Sequence, residues 1–173
     1  GINAYGLFLQ ISGGNNTINN NYINSSKDGA LIYRTSNNTF FNNTIITARY
    51  GIDVDTANNN IIINNSINSI SAHIYFRSTA FNNSFYWNNF TGTGAWVNNL
   101  NSTNSFNTTV GGVPQGNFYP SITSYKIFDL NSDGWGDNGT DYPVNATTFS
   151  AKWTGQGTDW GPATTKTTPD IPA

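Results

Sequence analysis

The sequence repeats itself at steps of 22 or 23 residues, and no other feature limits its possible folds as strongly. Two apolar positions recur five residues apart in each copy, as Ile18 and Ile23, Phe40 and Ile45, Ile62 and Ile67, and Phe85 and Phe90. Each copy contains three short stretches of alternating polar and apolar residues, which is typical of short strands. Stacked copies with parallel strands bury the apolar side that one copy cannot bury by itself. We therefore predict an all-β fold, a parallel β-helix of about five coils with an irregular C-terminal cap and tail.

Asparagine occupies fixed places between these stretches. The two recurring positions are Asn16, Asn38, Asn60 and Asn83, and then Asn21, Asn43, Asn65 and Asn88. Asn tolerates a left-handed backbone, and its amide can form hydrogen bonds to the copy above. We expect these residues both to take the left-handed turns and to stack into amide ladders.

The composition excludes several classes of protein. Asn accounts for 30 of the 173 residues, whereas Glu, Cys and Met are absent, so a helical bundle, a disulfide scaffold and a thiol nucleophile are excluded. The net charge is −2 and no basic stretch occurs, which argues against nucleic acid as a partner. No apolar run reaches the roughly 18 residues of a membrane span, and we expect no membrane insertion.

The Asn-x-Ser/Thr pattern occurs eleven times and favours an extracellular or cell-surface glycoprotein. The candidate glycosylation sites are Asn15, Asn24, Asn37, Asn42, Asn64, Asn82, Asn89, Asn101, Asn107, Asn138 and Asn145. The alternative is that a chain rich in Asn, Ser and Thr produces the pattern by chance.

The coil pattern Asn-Asn-x-Ile-x-Asn-Asn-x-Ile resembles the repeats of NosD-type proteins. The segments 116–119, 129–137 and 141–144 are similar to the stretch that closes such arrays in archaeal and bacterial surface proteins, so the resemblance spans roughly residues 5–145. It implies a right-handed parallel β-helix with coils of 22–23 residues. Copper handling does not carry over, because the chain has no Cys or Met and its one histidine is His73.

We predict three segments along the chain. Residues 1–111 form the β-helix, and residues 112–149 wrap its C-terminal end as a cap. Residues 150–173 are rich in Trp, Thr and Pro and form a tail or linker.

The cap contains the sharpest local motif, an Asp-rich loop that predicts Ca²⁺ as a cofactor. The candidate ligands are Asp129, Asn131, Asp133, the carbonyl group of Trp135, Asp137 and Asp141. An EF-hand would place Glu at the twelfth position, where this chain has Thr140, so the loop is closer to isolated dockerin or thrombospondin loops. The alternative is a cluster of Asx-turns without a metal ion.

Two carboxylates on the coils are minority candidates for catalysis. Asp53 and Asp55 alternate with inward residues, so both are expected to point outward, with their Cα atoms about 6.6 Å apart. A pair at this spacing could supply the acid and base of a glycosidase, with Arg77 beside it. The competing interpretation is a plain ion pair between Arg77 and Asp55 across the ladder. His73 replaces a Gly at a coil corner, and we expect it to be structural or to face solvent.

Three aromatic residues are candidates for glycan binding. Phe8, Tyr33 and Tyr75 fall on outward positions of one sheet, and aromatic faces suit sugar rings. The alternative is that they shield the sheet or face a neighbouring subunit.

Two functions from different classes follow. The first is a non-catalytic extracellular structural module, such as an adhesin or filament subunit. The second is a carbohydrate-active enzyme or glycan-binding β-helix. Only residues 1–4 precede the first coil, so we expect its exposed face to contact adjoining domains or further copies of the chain stacked head to tail.

Overall fold

The computed structural model describes residues 4–10 and 13–164. The predictions that concern residues 1–3 and the Thr/Pro-rich end from residue 165 onward lie outside the described residues. Within these ranges all of the regular secondary structure is β-strand, except for one short 3₁₀ turn at Ile122–Ser124. The prediction of an all-β parallel β-helix is confirmed.

Four coils contribute three strands each. They are β1 Tyr5–Gln10, β2 Thr17–Asn19 and β3 Tyr22–Ser25; β4 Asp28–Tyr33, β5 Thr39–Phe41 and β6 Thr44–Thr47; β7 Tyr50–Asp55, β8 Ile61–Ile63 and β9 Ser66–Ser69; β10 Ala72–Phe76, β11 Ser84–Tyr86 and β12 Asn89–Phe90. The remaining strands are β13 Ala95–Asn99, β14 Thr108–Val110, β15 Val113–Gln115, β16 Val144–Asn145, β17 Trp153–Gly155 and β18 Thr158–Asp159.

Equivalent strands of successive coils pair in parallel and form three sheets. The first sheet has the order β1-β4-β7-β10-β13-β17, the second β2-β5-β8-β11 and the third β3-β6-β9-β12. The register follows the sequence repeat, since Ile18 pairs with Phe40, Phe40 with Ile62 and Ile62 with Phe85.

The fifth coil differs from the prediction of about five regular coils. Its first strand, β13, pairs with β10, but the positions that continue the second and third sheets are single bridges at Ser105 and Phe118. Between these two residues the chain leaves the coil to form the antiparallel hairpin β14–β15. The β-helix therefore has four complete coils and an irregular fifth.

Apolar columns fill the interior. Phe40, Ile62 and Phe85 are 0% exposed, whereas Leu7, Leu9 and Ile18 of the first coil are only partly buried. The difference follows from position, because each inner coil is covered on both sides. Burial of the columns removes apolar area from water at about 25 cal/mol per Å² and provides the main stabilisation of the stack.

Each Asn-Asn pair divides its two tasks between its members, which corrects the expectation that one residue performs both. The left-handed φ angles belong to the first member, with values from 52° to 66° at Asn15, Asn37, Asn59, Asn82, Asn20, Asn42 and Asn64. The second member forms the ladder: Asn38 donates from its backbone N and from Nδ2 to Oδ1 of Asn60, both at 2.9 Å. Both donors therefore point toward the next coil.

The C-terminal segment closes the stack. Trp153 is 1% exposed, and β17 is the sixth strand of the first sheet. Asn117 continues one ladder, and its backbone N donates to the carboxylate of Asp159 at 2.8 Å. Within the stretch predicted as a tail or linker, Trp153 and Asp159 are thus packed against the end of the stack.

Candidate functional site

The outer face of the first sheet carries the carboxylates that were candidates for catalysis. Asp53 accepts two hydrogen bonds from Arg77, from Nε at 3.1 Å and from a terminal guanidinium nitrogen at 2.7 Å. Asp55 lies 3.5 Å from Nε of the same arginine and also accepts a hydrogen bond from the Thr79 hydroxyl. The structure therefore brings all three candidates together as one ion-pair network.

Asp53 is only 1% exposed although its position in the strand points outward. Neighbouring side chains cover it, because Leu31 and Tyr75 are its register partners on either side. Burial raises the pKa of Asp53, and the hydrogen bonds from Arg77 oppose this shift. The position of Asp53 points outward, as the alternation predicts, but its carboxylate is covered, because alternation within one strand predicts the direction of a side chain and not its exposure.

A second ion pair lies beside the first. Asp28 is fully buried, and both of its carboxylate oxygens accept hydrogen bonds from Arg49. Arg49 lies over the ring of Tyr50, whose centroid is 4.9 Å from that of Tyr75. Asp28 was not singled out from the sequence, since its partner is 21 residues away.

The three aromatic candidates do not form a continuous platform. Phe8 is 44% exposed and stacks on Tyr5, while Leu31 and Asp53 separate it from Tyr75 along the ladder. Guanidinium groups already lie over the other two rings, with Arg34 4.8 Å from Tyr33 and Arg77 4.9 Å from Tyr75. Glycan binding by these residues stays a prediction.

The Asp-rich loop of the cap uses its side chains to accept backbone hydrogen bonds. Asp129 accepts from the N–H groups of Asp133 at 3.1 Å and Gly134 at 2.7 Å. In the same way, Asn131 accepts from Asp133, Asp133 from Trp135, Asp137 from Leu130 and Asp141 from Lys126. The bonds to Asn131 and Asp133 span two residues and are Asx-turns, as in the alternative interpretation, whereas those to Asp129, Asp137 and Asp141 connect more distant parts of the cap.

Among residues 4–10 and 13–164, no group of three or more His, Cys, Asp or Glu side chains could hold a metal ion. The predicted convergence of the loop carboxylates on one point is therefore not found, because each carboxylate is turned toward a different backbone N–H. The cofactor prediction of calcium has no support in this arrangement.

The candidate glycosylation sites are distributed unevenly around the coils. Asn15, Asn37 and Asn82 occupy the turn before the second sheet, Asn42 and Asn64 the turn before the third sheet, and Asn24 and Asn89 the third sheet itself. Asn101, Asn107, Asn138 and Asn145 lie beyond the four regular coils. None of the eleven lies on the first sheet, and the seven sites on the coils are therefore on other sides of the stack than the charged face.

His73 has no capacity left for a metal ion. Its ring is buried, Nδ1 lies 2.8 Å from the carbonyl oxygen of Ala95, and Nε2 accepts the Gly92 N–H at 3.1 Å. Because Nε2 accepts, Nδ1 carries the proton in the neutral tautomer and donates to that carbonyl. Burial lowers the pKa of His73 to about 4.

A titratable group that the sequence did not single out closes one Asn ladder. Asp159 is fully buried and accepts hydrogen bonds from the Tyr119 hydroxyl at 2.8 Å and from the Gly161 N–H at 3.0 Å, besides those from Asn117. Burial raises its pKa to about 6. The only signal in the sequence would be an Asp at the place where a further coil would have Asn.

These features define a parallel β-helix repeat protein with an apolar core and asparagine ladders. A family model described as "Periplasmic copper-binding protein (NosD)" matches residues 2–124, and the chain belongs to this family. No curated protein and no solved structure matches the chain. Across the described residues, no helix is long and apolar enough to cross a membrane. A copper ion does not fit, because Cys and Met are absent from the chain and both ring nitrogens of His73 are engaged.

Proposed function

We propose that this chain is a non-catalytic structural module of an extracellular or cell-surface protein. Its role is to continue a longer β-helix, as a segment of an adhesin or of a filament subunit. The observation that supports the proposal is the first coil, whose ladder residues and apolar columns have no cover among the described residues.

The first coil has hydrogen-bond acceptors that the donors of a preceding coil could use. Asn16 and Asn21 donate forward to Asn38 and Asn43, while their own Oδ1 atoms accept no hydrogen bond from a described residue. Beside them lies an open groove of about 520 Å³. It is lined by Gly6, Leu7, Thr17, Ile18, Asn19, Asn21, Tyr22 and Ile23. An added coil of the same repeat would supply the missing donors and cover these apolar residues.

The opposite end of the same chain is a poor match for this face. One ladder runs through Asn21, Asn43, Asn65, Asn88 and Asn117 and ends at Asp159. The carboxylate of Asp159 has no N–H group to donate to Asn21 of another copy. Ladder polarity therefore favours an adjoining coil as the partner over head-to-tail stacking of identical chains.

The absence of catalysis is supported by the state of the candidate acids. Asp53 is buried and engaged in two hydrogen bonds with Arg77, so it cannot reach a substrate without breaking the ion pair. Incubation with a panel of neutral and acidic polysaccharides should release no reducing ends. Release that disappears in Asp53→Asn would overturn this part of the proposal.

Glycosylation is a further part of the proposal, whereas calcium binding at the Asp-rich loop stays a prediction from the sequence. Exposed sequon residues such as Asn15, Asn37 and Asn82 have side chains that face solvent and suit attached glycans. Calcium would have to bind to carboxylate oxygens that already accept N–H groups at the Asp-rich loop.

Fusion of one extra coil tests the coil-stacking role. A copy of residues 50–71 is placed directly before Tyr5, where the repeat aligns it as a preceding coil. We expect a higher midpoint of urea unfolding, since the added coil buries Leu7, Leu9 and Ile18. The matched control carries Asn60→Ala and Asn65→Ala in the added copy only, and should gain less. Equal stability of all three proteins would contradict the proposal.

A further inference from the structure

A groove runs along the turn between the second and third sheets, on the side of the molecule away from the ion pairs. It has a volume of about 210 Å³. Its lining residues are Asn42, Asn43, Thr44, Asn64, Asn65, Ser66, Trp87 and Asn89. All of them are uncharged, and they offer amides, hydroxyl groups and one large aromatic ring.

Trp87 occupies a position that the repeat gives to asparagine. Asn20, Asn42 and Asn64 are its counterparts in the first three coils, and all four residues have a left-handed φ, which is 58° for Trp87. A bulky side chain at this φ is disfavoured, and such outliers cluster at ligand sites. The ring is fixed by a hydrogen bond of 3.1 Å from Nε1 to Gln115 and by an edge contact with Tyr86 at 5.1 Å.

One residue that lines the groove has a buried side-chain oxygen without a partner. Oδ1 of Asn89 is buried and accepts no hydrogen bond within the described structure. A buried acceptor without a donor costs about 1–3 kcal/mol, and rotation of the Asn89 side chain toward the groove would let this oxygen accept a hydroxyl group of a ligand. Asn64 in the neighbouring coil also has an amide without a protein hydrogen bond among the described residues.

We infer that this groove is a binding site for a neutral sugar residue. One face of the sugar ring packs on Trp87, and its hydroxyl groups form hydrogen bonds with the surrounding amides. A sugar combines an apolar face with donors and acceptors around its edge, which matches an aromatic ring beside uncharged polar groups. A charged ligand would find no counter-ion among the lining residues. The site is separate from Phe8, Tyr33 and Tyr75, and it does not depend on the coil-stacking role.

The sugar can come from two sources. Asn42, Asn64 and Asn89 are all sequon residues, so a glycan attached to one of them could place its own ring on Trp87. The other source is a free oligosaccharide. Both present the same chemistry to the groove, and two arms of one experiment separate them.

In the first arm, protein made in a host without N-glycosylation is titrated with N-acetylchitotriose and mannotriose while tryptophan fluorescence is recorded. In the second arm, protein from an N-glycosylating host is mapped by peptide mass spectrometry. Its fluorescence is then compared before and after enzymatic removal of the glycan. A saturable change in the first arm identifies a free sugar as ligand, and a change on glycan removal identifies the attached one.

The variant Trp87→Asn restores the residue that the other coils have and removes the ring. We expect its sugar affinity, or its fluorescence response to glycan removal, to fall at least about tenfold, as for the loss of one aromatic contact. The control Trp160→Asn removes a tryptophan that is 51% exposed and does not line the groove, and it should leave the response of the groove unchanged. No response in either arm, or the same response in Trp87→Asn, overturns the inference.

Discussion

The two ends of the β-helix are built from the same repeat but finish differently. At the first coil, Asn16 and Asn21 are exposed, and the apolar residues beside them line an open groove. At the last coil, Asn117 is fully buried and bonded to the carboxylate of Asp159, with the cap packed over it.

The difference shows what a repeat can and cannot provide for itself. In the ladder that begins at Asn21, each Asn donates to an acceptor in the next coil, and the ladder ends where Asp159 accepts in place of a further Asn. Asp suits this position because it accepts hydrogen bonds without needing an acceptor of its own. At the first coil the atoms without a partner among the described residues are the Oδ1 acceptors of Asn16 and Asn21, and these can accept hydrogen bonds from water.

The largest expected effect is at the closed end. Asp159→Ala would leave the Asn117 amide, the Tyr119 hydroxyl and the Gly161 N–H without an acceptor in a buried site. We expect the free energy of unfolding, measured in urea, to fall by about 4 kcal/mol.

The matched change at the open end of the same ladder is Asn21→Ala. Because Asn21 is exposed, we expect a loss of less than about 1 kcal/mol. Similar losses at both ends would contradict the assignment of one end as open and the other as closed.

The pH dependence of stability should also come from the closed end. The pKa of Asp159 is about 6 in the folded chain against an ordinary value of 3.8, so between these values the folded state binds more protons. The stabilisation is complete below the ordinary pKa and is lost as the pH rises through 6. We expect this group to lower the free energy of unfolding by roughly 3 kcal/mol between pH 3 and pH 7.

Urea unfolding at several pH values measures this slope. Asp53 adds a contribution of the same sign, because burial raises its pKa as well. Asp159→Asn has no titrating group at this site, so its slope should be shallower than that of the unchanged chain. An equally steep slope in the variant would assign the titration to another residue.

A smaller contrast is expected within the other ladder. Asn60→Ala removes the acceptor for both the backbone N and Nδ2 of buried Asn38, and we expect a loss of about 2–3 kcal/mol. Asn16→Ala removes only a donor at the exposed end, and should cost less than about 1 kcal/mol. Thermal unfolding of the two variants measures this difference. Equal melting temperatures would contradict the expectation that the buried ladder position costs more.

The smallest effect concerns calcium and is confined to the cap. If the Asp-rich loop binds Ca²⁺, the melting temperature rises with CaCl₂ and falls again with EDTA, since a ligand of the folded state stabilises it. Asp129→Asn should abolish this response, whereas Asp55→Asn on the coils should not change it. A melting temperature that is insensitive to both additives would leave the loop as a set of Asx-turns.

The repeat made the fold predictable from the sequence. Because equivalent residues recur every 22 or 23 positions, one pattern assigned the strands, the register and the inward columns such as Ile18, Phe40 and Ile62. Two adjacent asparagines are chemically identical, however, and only the geometry of the turn assigns the left-handed φ to Asn37 and the ladder to Asn38.

The site residues were less predictable because their environment comes from distant parts of the chain. Asp53 is buried by side chains of neighbouring coils, which alternation within one strand cannot reveal. Asp159 and Trp153 lie beyond the last repeat and return to the stack after an irregular segment, so no period points to them. The left-handed φ of Trp87 in the turn before the third sheet was also not predicted, since the repeat places Asn at this position.

The forward direction of the asparagine hydrogen bonds has a consequence for how such a chain can change in length over evolution. In every interior coil the ladder asparagines accept hydrogen bonds from one neighbouring coil and donate the same set to the other. Duplication or loss of one whole coil of 22 residues therefore leaves the donors and acceptors of both neighbours paired. An insertion of one residue inside a strand would instead turn its inward side chains outward. Length in such a gene is therefore expected to vary in whole repeats, while the segment that ends in Asp159 must be kept because no coil can replace it.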